Sequence, residues 1–209
     1  MILQEVWQRR LSGIRQTCKN MISSRKELRL YLKEDGKRNG FSSSGFRYWT
    51  YKLVGHENAM SYAYLRALRH CEYHSNKKSP IHRMAFAFWQ LRRVVLGSKY
   101  HIQIPLNRCG YGLRIMHLSG GGGVLLNVRK IGNYCGFNAG VLIGDNGEDA
   151  VPTIGDYVAF APGAKAFGNI TIGNNVFVAP NAVVIKDVPD NAVVGGVPAK
   201  VLKYKESKI

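Results

Sequence analysis

Two periods divide this 209-residue chain. Up to about residue 97 the apolar positions return at steps of three and four: Val6, Leu11, Ile14, Cys18 and Met21, then Leu28, Leu30 and Leu32, then Met60, Tyr64, Leu65 and Leu68, with Arg and Lys between them. That spacing keeps one helical face apolar and predicts four or five helices. Gly36, Gly40 and Gly45, with the serine run at 42–44, break the series, and Ser79-Pro80 starts the last helix with proline near its first turn.

Beyond residue 100 the step becomes six. Ile154, Phe160, Ala166, Ile172, Val178 and Val184 stand six apart, and four positions after the first five come Val158, Ala164, Ile170, Val176 and Ala182, all small or β-branched. Leu125, Ile131, Phe137 and Ile143 read in the same register, with Ile-Gly at 131–132, 143–144, 154–155 and 172–173. This is the hexapeptide repeat of a parallel β-helix. Each hexapeptide supplies one short strand and a corner, three make a triangular coil, and stacked coils bury the aliphatic positions in a column. The fold class is therefore mainly β: a parallel β-helix over residues 100–209, including a C-terminal tail, preceded by a small α-helical region over residues 1–99.

The register slips twice. Cys109 and Ile115 are six apart, but Leu125 follows ten further on, so the stretch from His117 through four glycines must leave the coil as a loop. Between Ile143 and Ile154 the step is eleven, and residues 145–153 are extruded likewise. Loops on a rigid scaffold are where binding and catalytic groups concentrate.

Charge sharpens this division. The formal net charge is +17, of which residues 1–100 carry +14 (20 basic, 6 acidic), and 17 of the 23 glycines lie after residue 100. Glu5, Arg9, Arg10, Arg15 and Lys19 interrupt the first twenty residues, so neither a secretory segment nor a spanning helix is expected there, and the protein is expected in the cytoplasm. Cys18, Cys71, Cys109 and Cys135 lack metal-like or CxxC spacing and read as reduced structural thiols. The apolar stretch 84–96, with Arg92-Arg93, reads as a helix docked on the second half. The alternative is a helix lying on a membrane surface.

His117 is the foremost candidate for chemistry. An imidazole suits a general base that takes a proton from a hydroxyl, and the adjacent glycines let backbone N–H groups approach a developing oxyanion. The alternative is a loop histidine that merely caps a turn. His56, His70, His74, His82 and His101 share no metal-like motif with a carboxylate or thiolate and read as surface or packing residues, so no metal is expected.

The segments 112–117 (GLRIMH), 152–158 (PTIGDYV), 162–173 (PGAKAFGNITIG) and 186–200 (KDVPDNAVVGGVPAK) resemble the serine O-acetyltransferase family of left-handed β-helix acyltransferases over roughly residues 100–205. The resemblance implies a homotrimer that transfers acetyl from acetyl-CoA directly to a hydroxyl, with each site between neighbouring prisms. His117 matches the family's general base. Pro162, Gly163, Pro180 and Ile185 match residues lining the pantetheine arm, Lys200 and Lys203 match the basic pair near the nucleotide phosphates, and Asp35 is placed at the N-terminal substrate contact.

Departures bear on the acceptor. Three polar positions of the serine site fall here on Ile102, Met116 and Val151, a pattern closer to relatives in capsule, colanic acid and other exopolysaccharide pathways. The expected acceptor is therefore a sugar of a surface polysaccharide or its precursor, with serine as the alternative. His117 would then be oriented by a backbone carbonyl or by Asp145, Glu148 or Asp149. A third reading, a non-catalytic scaffold whose basic face binds nucleic acid or anionic membrane, has no nucleic-acid motif behind it. Nucleic acid is not an expected partner, whereas peripheral contact with the anionic inner membrane face is.

Overall fold

The computed structural model describes residues 21–41, 45–118, 122–145 and 150–206, with 45–47 described in the backbone alone. The apolar steps before Met21, and Cys18 with them, lie outside the described residues.

Four helices are described: α1 (Arg25–Arg38), α2 (Gly45–Leu53), α3 (Glu57–Ser75) and α4 (Pro80–Tyr100). A capping box opens α1: Ser24 Oγ accepts the Glu27 N–H at 3.1 Å while Glu27 Oε2 accepts the Ser24 N–H at 2.8 Å. Proline at the start of α4 sits where its missing N–H costs nothing.

The rest is a three-faced prism. One face stacks β1 (Ile102–Gln103), β3 (Val124–Leu126), β6 (Val141–Gly144), β9 (Lys165–Phe167) and β12 (Val183–Val184). A second stacks β4 (Lys130–Ile131), β7 (Thr153–Ile154) and β10 (Thr171–Ile172). The third stacks β2 (Arg114–Met116), β5 (Gly136–Asn138), β8 (Ala159–Phe160), β11 (Phe177–Val178) and β13 (Ala192–Gly195), then β14 (Lys200–Tyr204), which runs antiparallel to β13 and caps the stack. Thr153 pairs with Thr171, Ala159 with Phe177 and Lys165 with Val183, so the regular coil takes eighteen residues, three hexapeptides. The six positions from Ile154 to Val184 and their small partners from Val158 to Ala182 are all buried in one column.

One register assignment is corrected. Leu126, not Leu125, pairs with Ile143 and enters the core, while Leu125 is 41% exposed. A slip of one residue exchanges the two faces of a strand. The glycine run hides the phase of the strand that follows it, and the next step, Leu126 to Ile131, is five residues rather than six.

The helices share the prism's core. Tyr64, Leu65 and Leu68 of α3 join the cluster that holds Ile104, Leu113 and Ile115. A fully buried guanidinium, Arg69, bonds Asp35 at 2.8 Å, Glu72 at 2.9 Å and the carbonyls of Cys109 and Gly110 at 3.0 and 2.6 Å. Asp35 also accepts the Leu113 N–H at 2.9 Å and Glu72 accepts the Asn107 N–H at 2.8 Å, so α1, α3 and the first coil are welded by one network.

Docking of α4 on the prism is confined to its C-terminal end, where Leu96 and Tyr100 pack on the core. A Cβ on Gly97 would lie 2.7 Å from the Ile102 carbonyl oxygen, so only glycine lets α4 approach β1 this closely. Ile81, Met84, Phe88, Leu91 and Val95 remain exposed. No helix among the described residues is long and apolar enough to cross a membrane. Cys71, Cys109 and Cys135 are free and buried, and burial pushes the Cys71 thiol up to about 11 and that of Cys135 to about 12.

Candidate active site

Continuing the strand pairings past the strand ends puts His117, Ala139, Pro162 and Pro180 in one column, along the edge where the third face turns into the first. Backbone bonds close this edge rung by rung: the Gly163 N–H donates to Ala139 O at 2.9 Å and the Asn181 N–H to Pro162 O at 3.0 Å. Close backbone approach excludes side chains here. A Cβ on Gly122 would fall 2.5 Å from the Gly140 nitrogen, and one on Gly140, at φ +76°, 3.3 Å from Gly163. Gly122 therefore answers a packing demand, while residues 119–121 lie outside the described residues.

At the head of the column the chain leaves β2 and turns at His117 with φ +60°, a left-handed conformation uncommon for a residue with a Cβ. Leu118 packs against the core behind it, and the imidazole points outward, 66% exposed. Its Nδ1 lies 3.7 Å from Oε1 of Glu57, the first residue of α3. The carboxylate beside His117 thus comes from the helical region. Asp145 begins a different edge, at the far end of β6, where its Oδ2 accepts from Asn127 Nδ2 at 3.0 Å. Glu148 and Asp149 lie outside the described residues.

The other expected site residues divide. Pro162, Gly163 and Pro180 share the His117 edge, whereas Ile185 follows β12 on the first face, away from that column, with its side chain half exposed. Lys200 and Lys203 are exposed on β14 opposite Gly195 and Val193, five strands from β2, which is ~24 Å along the prism at the usual strand spacing. Asp35 is corrected: it is fully buried, with one oxygen on Arg69 and the other on the Leu113 N–H, so it cannot reach a substrate directly. Ile102 is buried in the prism core, where a carboxylate would be desolvated without a partner.

A cleft of about 710 Å³ opens between the C-terminal half of α4 and the first face. Leu125, the residue excluded from the core, lines it with Val94, Leu142, Arg93 and Lys165, and Gly123 and Gly140 connect it to the His117 edge. Lys165 Nζ donates to Gly163 O at 3.0 Å, which fixes a cation beside the edge. Sequence reasoning missed both Glu57 and Lys165. One signal was present for the first, since Glu57 is the sole acidic residue between Asp35 and Glu72. No cluster of three or more metal-binding side chains occurs among the described residues.

No known protein-family profile matches the chain. Individual proteins do. It is 36% identical over 115 residues to a serine acetyltransferase of Synechococcus elongatus, a match covering 54% of this chain but only 45% of that one. It is 34% identical over 153 residues to a serine acetyltransferase of Staphylococcus xylosus, covering 71% of this chain and 68% of the other. Among solved structures, Neisseria gonorrhoeae serine acetyltransferase in complex with serine superposes with a TM-score of 0.54 at 27% identity, covering 83% of this chain and 66% of that one. The Brucella abortus enzyme in complex with coenzyme A shares the fold, with a TM-score of 0.56 at 22% identity over 85% of this chain and 67% of that one. A hexapeptide prism with helices ahead of it, a histidine at the head of one edge, and a relative matched over two thirds of its length lead to one conclusion: the chain belongs to the serine acetyltransferase family of acyltransferase enzymes.

Proposed function

We propose that this protein transfers an acetyl group from acetyl-CoA to the hydroxyl of serine, with His117 as general base. The observation that carries the reading is the single prism edge on which an exposed imidazole stands in column with Pro162 and Pro180, two of the expected cofactor-lining residues. With Nδ1 turned to Glu57, Nε2 is the nitrogen left to take the acceptor's proton. The hydroxyl oxygen then attacks the thioester carbonyl, the C–O bond forms, the tetrahedral oxyanion collapses, and the C–S bond breaks. The imidazolium returns its proton to the leaving thiolate, so no covalent enzyme intermediate forms. Pro162, Gly163, Pro180 and Ile185 are assigned to the pantetheine arm. Lys200 and Lys203, ~24 Å from β2 along the prism, take the phosphate end. Assembly as a homotrimer, with a neighbouring prism completing the groove, is part of this reading.

Serine displaces the sugar acceptor because the relatives quoted above carry the serine acetyltransferase name. A sugar hydroxyl remains the second reading, favoured by buried Ile102 and by the apolar Met116 and Val151. Thiol release from acetyl-CoA, measured against a panel of serine, homoserine and simple sugars, tests both. Turnover on serine supports the first reading, turnover on sugars alone selects the second, and no turnover on any acceptor refutes the enzymatic reading.

The proposal extends to peripheral contact with an anionic membrane. Ile81, Met84, Phe88, Leu91 and Val95 form an exposed stripe on α4, and every charged residue of that helix (Arg83, Arg92, Arg93, Lys99) is basic. Sedimentation with phosphatidylglycerol vesicles, abolished in M84D/F88D and absent with neutral vesicles, is the expected result. Equal pelleting of wild type and variant overturns it.

A further inference from the structure

We propose that Glu57 is the positioning carboxylate of His117, so that the helical region supplies part of the active site. The inference rests on the reading of His117 as the base. Three observations carry it. Oε1 of Glu57 lies 3.7 Å from the imidazole Nδ1, within ion-pair range though longer than a hydrogen bond, and catalytic hydrogen bonds are often long until substrate is bound. The carboxylate stands on a fixed support: His56 Nδ1 caps α3 by accepting the Asn58 N–H at 3.2 Å, Ser61 Oγ donates to the Glu57 carbonyl at 3.0 Å, and Arg69, twelve residues on, welds the same helix to the first coil. Finally, Ile102, one of the three positions where the resemblance expects a polar group, lies inside the prism core, and Asp145 occupies another edge.

A carboxylate on Nδ1 has two effects. It holds the proton on that nitrogen, leaving the Nε2 lone pair for the acceptor, and it stabilises the imidazolium formed as the proton transfers. The ring, on an exposed turn, also loses the rotational freedom that would otherwise spread it over several orientations.

The experiment compares wild type, E57Q, E57D and H117A. E57Q should lower kcat about 10–100-fold, the scale of lost orienting partners elsewhere, with KM for acetyl-CoA and the melting temperature unchanged. E57D should restore part of the rate, and E57Q should add little in the H117A background. Independently of activity, 15N shifts of the His117 ring should show Nδ1–H in the wild type and a move towards Nε2–H in E57Q. An unchanged tautomer, or a kcat within twofold of wild type, overturns the proposal. If the wild type turns over no acceptor, the base reading itself has failed and the positioning role falls with it, whichever tautomer is seen.

Discussion

Replacing Arg69 by Met strikes the weld between helices and prism. The guanidinium makes four short bonds, two to carboxylates and two to backbone carbonyls of the first coil, and all three charged side chains are fully buried. Methionine fills much of the stem's volume but leaves Asp35 and Glu72 as buried carboxylates without their cation. Burial already holds the Glu72 carboxyl above its usual range against the pull of Arg69, so without that cation Glu72 protonates more readily still, which offsets part of the loss. Removing one partner of a buried ion pair costs about 3–5 kcal/mol. At about 2–4 °C per kcal/mol for a chain of this length, the melting temperature of R69M should fall by roughly 6–20 °C. Thermal and guanidinium unfolding at matched protein concentration measure it, since the proposed homotrimer would couple stability to concentration. The triple variant R69M/D35L/E72L should regain part of the loss, because it leaves no uncompensated charge. A drop below about 1 kcal/mol in R69M would refute the assignment of this network as the fold's internal weld.

Three further outcomes are expected. L126N should destabilise by about 2–5 kcal/mol, as large core lesions do, while L125N stays within about 1 kcal/mol in thermal melts; the reverse order would restore the register read from the sequence. His70 stacks on Trp89 at 4.1 Å, and burial, helped by nearby Arg66, depresses its pKa to about 4. The unfolded chain therefore binds the extra proton first, so this contribution is intact above pH ~6.5 and lost as pH falls towards about 4. Tryptophan fluorescence of W89 against pH should show that loosening, and H70F should remove it. Finally, K200A/K203A should raise KM for acetyl-CoA about tenfold with kcat nearly unchanged, as loss of charge-assisted phosphate contacts predicts; an unaltered KM would dissociate the tail from cofactor binding.

How much of this was legible in the sequence follows from what local pattern can encode. The six-residue period from Ile154 to Val184 states a contact rule, each residue lying over the one eighteen further on, so the prism could be read directly. Where glycines replace apolar residues the rule loses its phase, and the pattern points Leu125 inward where the structure buries Leu126. His117 was legible because a lone histidine interrupts the repeat at a loop. Its neighbour Glu57 was not, since sixty residues separate them and their approach depends on how α3 docks. Arg69 resembled every other arginine of a basic helical region, and its burial is set by two carboxylates and two carbonyls from three parts of the chain. Asp35 stood out only through the resemblance, and its burial could not be read locally because the cation that neutralises it, Arg69, lies on another helix.

The central claim, that His117 at the head of the prism edge is the general base, is tested most directly by steady-state thiol release from acetyl-CoA by wild type and H117A. Both proteins must show the same circular dichroism and oligomeric mass. The account predicts a fall in kcat of about 10²–10⁴-fold with little change in KM for acetyl-CoA, the range for loss of a positioned base. A variant that turns over within a few fold of wild type would contradict it.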